Sequence, residues 1–366
     1  MRLASIITAF EADFLAQYQS RILPSHRKAL AAMKGCRSQL GPKMQAVCGS
    51  CHQQAFLPHS CGHRNCPHCQ SHESQQWIER QLNKQLPADY FLLTFTLPAQ
   101  LRALAWQHQR SIYALMTRSA WETVHVFSQN DKRLQGTPGA TTVLHTHSRR
   151  LDYHPHVHMV FPAAALNPEK RLWRTKRSKG KRRYLFNHKA LAKVFRAKLL
   201  EAMTRVGLVL PNTCPEHWVV DCKAVGSGEK ALAYLGRYLY RGVIQEKDIV
   251  ACENGQVTFR YRNGKTRAVE YRTLPGAQFL WLIVQHILPK GFRRARNYGL
   301  LHPNSKRLIR LVQYLLNLPP NRGMAQTTVR PKLICSCCGA AMKIIRTRIY
   351  SQPRHRTKPG VATPVM

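Results

Sequence analysis

Residues 141–162, TTVLHTHSRRLDYHPHVHMVFP, hold five histidines within fourteen residues. In a β-strand, successive side chains point to opposite faces, so His154, His156 and His158 share one face. Imidazoles that flank one apolar residue can bind a metal ion on that face while Val157 packs into the core. The alternative is a histidine-rich strand pair with ordinary core and surface positions.

The residues just before this strand, 142–147, also have strand character, and a four-residue hairpin turn is predicted between the two strands. This register places His145 opposite His156 and His147 opposite His154. A third imidazole, that of His145, thereby lies beside those of His156 and His158 on the metal-binding face.

The chain is strongly basic, with 57 Lys and Arg against 17 Asp and Glu in 366 residues and a formal net charge of +40. A field of this strength attracts polyanions. Nucleic acid is the leading partner, because the basic residues run through the whole chain and are interleaved with aromatic residues. An anionic membrane surface is the weaker alternative, since the sequence has no long apolar span and no lipidation motif.

The cysteine content and the N-terminus predict a cytoplasmic protein. Several of the twelve cysteines form C-x-x-C pairs in a large basic chain, which favours metal binding in a reducing compartment over disulfides. The first residues carry Glu11 and Asp13 within an apolar pattern, which predicts an amphipathic helix and not a signal peptide.

Two C-x-x-C pairs separated by fourteen residues have the spacing of a zinc ribbon, in which four thiolates close a tetrahedral Zn²⁺ site. This zinc either stabilises the fold alone or also places a neighbouring residue, Arg64, on phosphate. The predicted ligands are Cys48, Cys51, Cys66 and Cys69. Additional candidates are Cys36, His59, Cys61, His63, Cys335 and Cys338, which would suffice for a second zinc.

Basic clusters predict contacts with DNA phosphates. Residues 170–183 hold nine Lys or Arg with one embedded Trp, and a second cluster follows residue 289. A charge run of this kind is either a solvated loop or a phosphate-binding hairpin. The predicted DNA-binding residues are Arg64, Lys170, Arg171, Trp173, Arg174, Lys181, Arg182, Arg183, Arg237, Arg241, Lys290, Arg293, Arg294 and Arg296.

A helix is predicted over residues 227–242, with Ser227 as N-cap and Gly242 as the stop signal. Tyr234 and Tyr238 are i,i+4 neighbours about 6 Å apart along its axis, on one face. Spacing alone permits two interpretations, a core-facing aromatic pair or a pair of nucleophiles. A phenol with a pKa of about 10 needs a nearby cation or base to act as a nucleophile.

These motifs together resemble the HUH endonucleases, and most closely the two-tyrosine rolling-circle insertion-sequence transposases with an N-terminal zinc-binding region. The resemblance spans nearly the whole chain. It rests on the cysteine block 48–69 with His63-Arg64-Asn65-Cys66-Pro67, on Phe95-Thr96-Leu97-Pro98, His145-Thr146-His147 and His154-Pro155-His156-Val157-His158, and on Tyr234-Leu235-Gly236-Arg237-Tyr238, Leu288-Pro289-Lys290-Gly291-Phe292 and Arg296-Asn297-Tyr298-Gly299.

The resemblance implies an α+β fold, with a ferredoxin-like HUH core built on an antiparallel sheet, a zinc-ribbon-like N-terminal domain and a mostly helical, basic C-terminal region. It implies Mg²⁺ or Mn²⁺ at His156 and His158, while His145 as third ligand rests on the hairpin register. Tyr234 and Tyr238 become nucleophiles that nick single-stranded or hairpin DNA at the ends of the protein's own element. The products would be a 5′-phosphotyrosine and a free 3′-hydroxyl, followed by strand transfer.

The predicted boundaries are a helical segment with the zinc-binding domain over 1–86 and the nuclease core over 87–250. A β-hairpin and helical basic region follows over 251–330, and a half knuckle with a basic tail over 331–366. Two alternatives to a transposase stay open from the sequence. One is a rolling-circle replication initiator with the same site, and the other is a non-catalytic, zinc-dependent nucleic-acid-binding protein.

Overall fold

The structure is a computed structural model that describes residues 1–38, 41–176, 185–240, 242–264, 266–318 and 332–350. The helices are α1 (Leu3–Tyr18), α2 (Pro24–Lys34), α3 (Ser71–Leu82), α4 (Arg102–Gln107), α5 (Gln109–Asn130), α6 (His188–Arg205), α7 (Glu229–Tyr240), α8 (Gly276–Val284) and α9 (Lys306–Leu315). The strands are β1 (Lys43–Cys48), β2 (Gln54–Pro58), β3 (Tyr90–Thr96), β4 (Thr137–His147), β5 (Tyr153–Pro162), β6 (Ala164–Asn167), β7 (Leu172–Thr175), β8 (Val220–Ala224), β9 (Ile249–Glu253), β10 (Gln256–Arg262), β11 (Val269–Pro275), β12 (Ala295–Gly299), β13 (Leu333–Ile334) and β14 (Ala341–Ile349).

A seven-stranded antiparallel sheet forms the centre, in the order β7-β6-β4-β5-β3-β8, with β12 paired to β4. The histidine strand β5 therefore lies between β4 and β3, in the interior of the sheet. No helix among the described residues is long and apolar enough to cross a membrane. The predicted α+β class with an antiparallel core sheet is confirmed.

Different elements pack on the two faces of the sheet, because successive side chains of β5 point to opposite faces. Val157, Met159 and Phe161 are fully buried in the main core, which α5 and α6 close from one side. The opposite face carries the histidines and Val160, which lies in a smaller apolar cluster with Leu235 of α7. The alternation of one strand thus puts the core on one face and the tyrosine helix on the other.

The β4–β5 register confirms one predicted histidine pair and corrects the other. His145 lies opposite His156, as expected, but a register shift between 145 and 147 places His147 opposite Tyr153 instead of His154. The physical reason is the connection, where the amide of Ser148 donates to the carbonyl of Asp152 at 2.9 Å. Five residues, 148–152, thereby separate the strands instead of the four that were predicted.

A second core joins segments that are distant in the chain. Helices α1 and α2 pack with α8 and with the β9–β10 strands, and this core also contains the thiols of Cys66 and Cys69. The predicted segments 1–86 and 251–330 therefore share one apolar interior. Strands β10 and β11 form the β-hairpin predicted within residues 251–330, and its last paired residues are Arg262 and Val269.

The C-terminal region is less helical than predicted. Besides the predicted β-hairpin of β10 and β11 and the helices α8 and α9, the described part of residues 251–330 contains the end of β9 and the strand β12. Further on, β13 and β14 pair with the N-terminal strands in a sheet of order β13-β14-β1-β2. Hydrophobic periodicity missed this pairing because most side chains of β14 are exposed on both faces. The basic tail after residue 350 lies outside the described residues.

Candidate metal and tyrosine site

Three imidazoles meet at the centre of the sheet. One ligand nitrogen each from His145, His156 and His158 lies within 4.8 Å of the other two. The ring centroid of His145 is 5.1 Å from that of His156 and 4.3 Å from that of His158. Cross-strand pairing of β4 and β5 supplies this convergence, since directly opposed side chains in an antiparallel pair lie close together.

Hydrogen bonds orient two of these rings, and burial keeps all three neutral. The Nδ1 of His156 bonds the carbonyl of His154 at 2.7 Å, and the Nδ1 of His158 bonds Oγ1 of Thr94 at 3.0 Å. Their Nε2 atoms are left for a ligand, and Nε2 of His145 is buried without a hydrogen-bond partner. Burial lowers the pKa of His158 to about 4 and holds those of His145 and His156 well below the ordinary range.

This donor set fits a divalent metal ion. Neutral imidazoles are metal ligands, and ligating histidines usually use their second ring nitrogen for a hydrogen bond to a carbonyl or similar group. The orphaned Nε2 of His145 is the observation that an ion would explain, because a buried polar atom without a partner costs free energy. His147 and His154, which flank the cluster, are outside this group of ligand atoms.

Helix α7 places both predicted tyrosines over the histidines. The ring of Tyr238 stacks on His145 with centroids 3.3 Å apart, and its hydroxyl is buried without a hydrogen-bond partner. The ring of Tyr234 is 6.2 Å from His145 and 6.3 Å from His158, and 51% of the residue is exposed. The structure therefore brings the two tyrosines and the three histidines together at one site.

The two phenols have different electrostatic surroundings. Burial raises the pKa of Tyr238 strongly, although the nearby guanidinium of Arg294 acts in the opposite direction. Burial also raises the pKa of Tyr234, against the effect of Arg149. Arg294 is itself buried, with its Cζ atom 5.6 Å from the Tyr238 ring centroid. Tyr234 faces solvent beside a surface arginine, whereas Tyr238 is enclosed above a buried one.

Two adjoining cavities open at the site, with volumes of about 800 and 580 Å³. They share five lining residues, including both tyrosines and Tyr261. The charged residues in their walls are mainly basic, and they are Arg102, Arg149, Arg150, Asp152, Lys230, Arg237, Asp248, Arg260 and Arg262. Seven cations against two carboxylates make this an attractive channel for a polyanion.

Most of these basic residues were missed by the sequence prediction. Of the cavity cations, only Arg237 was expected to contact DNA. Arg149 and Arg150 could have been found, since they occupy the turn directly after the first histidine strand. Lys230 could also have been found, since it precedes Tyr234 by four residues on the predicted helix. Arg260 and Arg262 could not, because only tertiary packing brings the β10 strand to the tyrosine helix.

Some of the other residues predicted to contact DNA are exposed, and others are engaged in contacts within the protein. Lys170, Arg171, Lys290 and Arg293 are exposed, whereas Arg296 lies over the ring of Phe292. Arg64 donates to the carbonyl of Phe292 at 3.0 Å, and Arg174 bonds the side chain of Gln135. Trp173 packs against a small apolar cluster around Leu166. Lys181, Arg182, Arg183 and Arg241 lie outside the described residues.

The predicted zinc ligands are grouped differently from the expected arrangement. Cys66 and Cys69 join Cys36 and Cys61 in one cluster, while Cys48 and Cys51 join Cys335 and Cys338 in another. Each cluster brings four sulfurs within 4.8 Å of one another. The predicted grouping was wrong because the two C-x-x-C pairs do not bind together. Each pair lies beside two cysteines from other segments of the chain, and the spacing of the pairs does not identify those cysteines. His59 and His63 are in neither cluster.

The Cys36-Cys61-Cys66-Cys69 cluster supports the tyrosine helix. The chain next to Cys66 passes so close to Gly242 that a Cβ there would lie 2.7 Å from the carbonyl oxygen of Asn65. In α3, the hydroxyl of Ser74 donates to the carbonyl of Gly236 at 2.9 Å. A zinc ion bound by these four thiolates would have a closed coordination sphere, as structural zinc sites do, and would lie next to α7.

Comparisons with known proteins agree with this arrangement. Residues 139–308 match a family model described as "Putative transposase", and residues 6–97 match one described as "Transposase zinc-binding domain". Together they define a class, transposases with their own zinc-binding domain. The putative transposase y4qJ of Sinorhizobium fredii (strain NBRC 101917 / NGR234) is 30% identical over 324 residues, covering 81% of this chain and 79% of that protein.

A second relative is the transposase of a particular type of insertion sequence. The transposase for insertion sequence element IS801 of Pseudomonas savastanoi pv. phaseolicola is 28% identical over 293 residues, covering 75% of this chain and 70% of that protein. The chain belongs to the IS91/IS801 family of transposases. This membership favours transposition over replication initiation, which the residues alone had left open.

Among solved structures, the conjugative relaxase TrwC in complex with mutant OriT DNA matches with a TM-score of 0.26 and 18% identity, covering 35% of this chain and 48% of that chain. A metal-free structure of TrwC in complex with OriT DNA matches with a TM-score of 0.26 and 12% identity, covering 62% and 72%. At this TM-score the likeness supports no conclusion about this chain.

Proposed function

We propose that this transposase nicks single-stranded DNA at the ends of its element, using a tyrosine of α7 as the nucleophile, and then transfers the strand. The observation that carries the proposal is the position of Tyr234 and Tyr238 directly over the three-histidine cluster. A phenol beside a bound divalent metal ion is an arrangement that favours attack on a phosphodiester, because the ion offsets the charge that develops on the phosphate.

His145, His156 and His158 would hold the ion through their neutral imidazoles. When bound there, a divalent ion offsets the charge that develops on the scissile phosphate. Imidazole is a softer ligand than the oxygens that Mg²⁺ prefers, so of the two expected ions we favour Mn²⁺.

The nicking step conserves the energy of one phosphodiester bond. The phenol oxygen of the tyrosine forms a bond to phosphorus, and the bond from phosphorus to the 3′-oxygen breaks. The phenol proton leaves, and the departing 3′-oxygen gains a proton. The products are a 5′-phosphotyrosine and a free 3′-hydroxyl, and attack by a 3′-hydroxyl on the phosphotyrosine restores a DNA strand.

The channel formed by the two cavities supports a single strand as the substrate. Its basic lining matches the phosphate backbone, and the ring of Tyr261 at the junction is available for contact with a base. Arg149 lies at the same junction, and its charge partly opposes the rise in the pKa of Tyr234 that burial causes. We infer that the scissile phosphate lies between Arg149 and the histidines.

The test is formation of a covalent adduct. Purified protein is incubated with a labelled single-stranded oligonucleotide from the element's end and Mn²⁺ or Mg²⁺, then denatured and resolved by mass. We expect a denaturant-resistant protein–DNA adduct that peptide mapping assigns to α7, and its loss in the Tyr234→Phe, Tyr238→Phe double variant. An adduct that persists in the double variant, or its absence from the wild type, would show that the protein uses other chemistry or only binds nucleic acid.

A further prediction concerns Thr94, whose hydroxyl bonds Nδ1 of His158. We expect Thr94→Val to weaken Mn²⁺ binding by about 10–100-fold, as for other groups that orient a ligating histidine. Titration of Mn²⁺ into metal-stripped protein measures this. Thr96→Val is the matched control, since Thr96 lies on the same strand face opposite His156. Equal effects of the two substitutions would rule out a specific role for the Thr94–His158 hydrogen bond.

A further inference from the structure

The second cysteine cluster lies at the junction of the two ends of the described chain. Cys48 and Cys51 flank the turn that follows β1, and Cys335 and Cys338 flank the turn between β13 and β14. The two cysteine pairs are separated by more than 280 residues, since the contacting cysteines differ by 290 and 284 positions. Residues 335 and 338 lie beyond both matched family regions, 6–97 and 139–308.

The local backbone at both turns is that of a metal-binding knuckle. The amide of Ser50 donates to Sγ of Cys48 at 3.4 Å, which stabilises a thiolate. Across the cluster, the amide of Gly339 donates to the carbonyl of Cys335 at 3.0 Å. Gly339 has a φ of +71°, a conformation that glycine adopts without strain.

The sulfur positions fit a tetrahedral ion. Sγ of Cys48 is 3.4 Å from Sγ of Cys338, and Sγ of Cys51 is 3.6 Å from Sγ of Cys335. Four thiolates about 2.3 Å from a central Zn²⁺ would be separated by about 3.8 Å along the tetrahedron's edges. A disulfide would require a sulfur separation of about 2.05 Å and would join the thiols in pairs.

The surrounding sheet brings the two turns into register. Strand β14 pairs with β1 along its length, with Cys48 opposite Met342, and β13 pairs with the other edge of β14. The amide of Gly49 donates to the carbonyl of Ala341 at 3.5 Å, next to the cluster. Two β-hairpins that each present one knuckle have the architecture of a zinc ribbon, assembled here from opposite ends of the described chain.

We propose that Cys48, Cys51, Cys335 and Cys338 bind a second structural zinc ion, which fastens residues 332–350 to the N-terminal zinc-binding domain. The protein then holds two zinc ions, one within the N-terminal segment and one shared between N- and C-terminal segments. The shared ion makes the C-terminal hairpin an integral part of the zinc-binding domain. This site is independent of the nicking chemistry proposed above.

The test is the zinc content of the purified full-length protein, measured by elemental analysis after removal of loosely bound metal. We expect two zinc ions per chain in the wild type and one in the Cys335→Ser, Cys338→Ser double variant. Cys337→Ser is the matched control, because Cys337 lies in the same turn but outside the cluster, and it should retain two. Cys338→His, which keeps a ligand that zinc accepts, should retain two as well.

Further measurements separate this site from the first cluster and from a general loss of folding. The Cys36→Ser, Cys61→Ser variant should also hold one zinc, and the combination of both double variants none. Replacement by Co²⁺ should give the absorption of tetrahedral thiolate coordination at two equivalents in the wild type. One zinc in the wild type, two in the Cys335→Ser, Cys338→Ser variant, or a disulfide between these cysteines in the purified protein would overturn the proposal.

Discussion

Tyr234→Phe is expected to abolish the first covalent adduct with single-stranded DNA, a loss of at least about 10³-fold in nicking rate, since removal of a nucleophile leaves only residual catalysis. Tyr238→Phe is expected to retain that first adduct. The physical reason is access, because Tyr234 is half exposed in the basic channel whereas the hydroxyl of Tyr238 is buried above His145.

From the same geometry we expect Tyr238 to act in a later step of the reaction. Its ring must move away from His145 before its hydroxyl can reach a phosphate, and burial holds its pKa well above the usual value. We expect Tyr238→Phe to form the first adduct within about tenfold of the wild-type rate but to fail in complete strand transfer, which needs a second attack. Single-turnover adduct formation and a strand-transfer assay measure the two steps separately.

Tyr240→Phe is the matched control, since it removes a third phenol of the same helix that lines a different cavity. It should leave both steps within about twofold of wild type, as for a residue away from the chemistry. Loss of the first adduct in Tyr238→Phe, together with its retention in Tyr234→Phe, would reverse the proposed order of the tyrosines.

His156→Ala is expected to lose the divalent ion of the histidine cluster and to reduce nicking by about 10³-fold or more, because metal-supplied charge stabilisation is worth several kcal/mol in a transition state. The substitution leaves two of the three imidazole ligands, which should bind the ion much more weakly. Titration calorimetry with Mn²⁺ measures the binding, and the single-turnover adduct assay measures the rate. Zinc content should stay unchanged, since the cysteine clusters are separate from this site.

His154→Ala is the control on the same strand. The His154 imidazole bonds Arg102 and lies outside the three-histidine cluster, whereas its backbone carbonyl accepts the hydrogen bond from His156. Substitution removes the imidazole but keeps that carbonyl, so Mn²⁺ affinity should remain within about threefold of wild type. Equal losses of Mn²⁺ affinity in His154→Ala and His156→Ala would rule out the ligand assignment.

Local rules predicted much of the fold. The alternation of β5 depends on residues close in sequence, and so does the helix that carries the two tyrosines. That helix was predicted over residues 227–242 and spans Glu229–Tyr240. The partner of His147 was predicted incorrectly, because one extra residue in the connection shifts the pairing after His145.

In the candidate site, too, some features were predictable from local spacing and others depend on packing. Pairing of adjacent strands made His145, His156 and His158 predictable, and i,i+4 spacing made Tyr234 and Tyr238 predictable as a pair. Neither rule states whether the helix lies over the strands, and that contact depends on Leu235 and Val160 sharing an apolar cluster. The relative exposure of the two tyrosines also follows from this packing.

Local patterns in the sequence predicted the main chemical groups of this protein: a histidine hairpin, a two-tyrosine helix, thiols in C-x-x-C pairs and a basic chain. Strand alternation, helical spacing and turn residues act over a few positions, so these features can be predicted without a structure. Long-range packing sets which thiols lie together, which arginines line the channel and which tyrosine is accessible. These depend on contacts such as Cys48 with Cys338, between residues 290 positions apart, which no local pattern specifies.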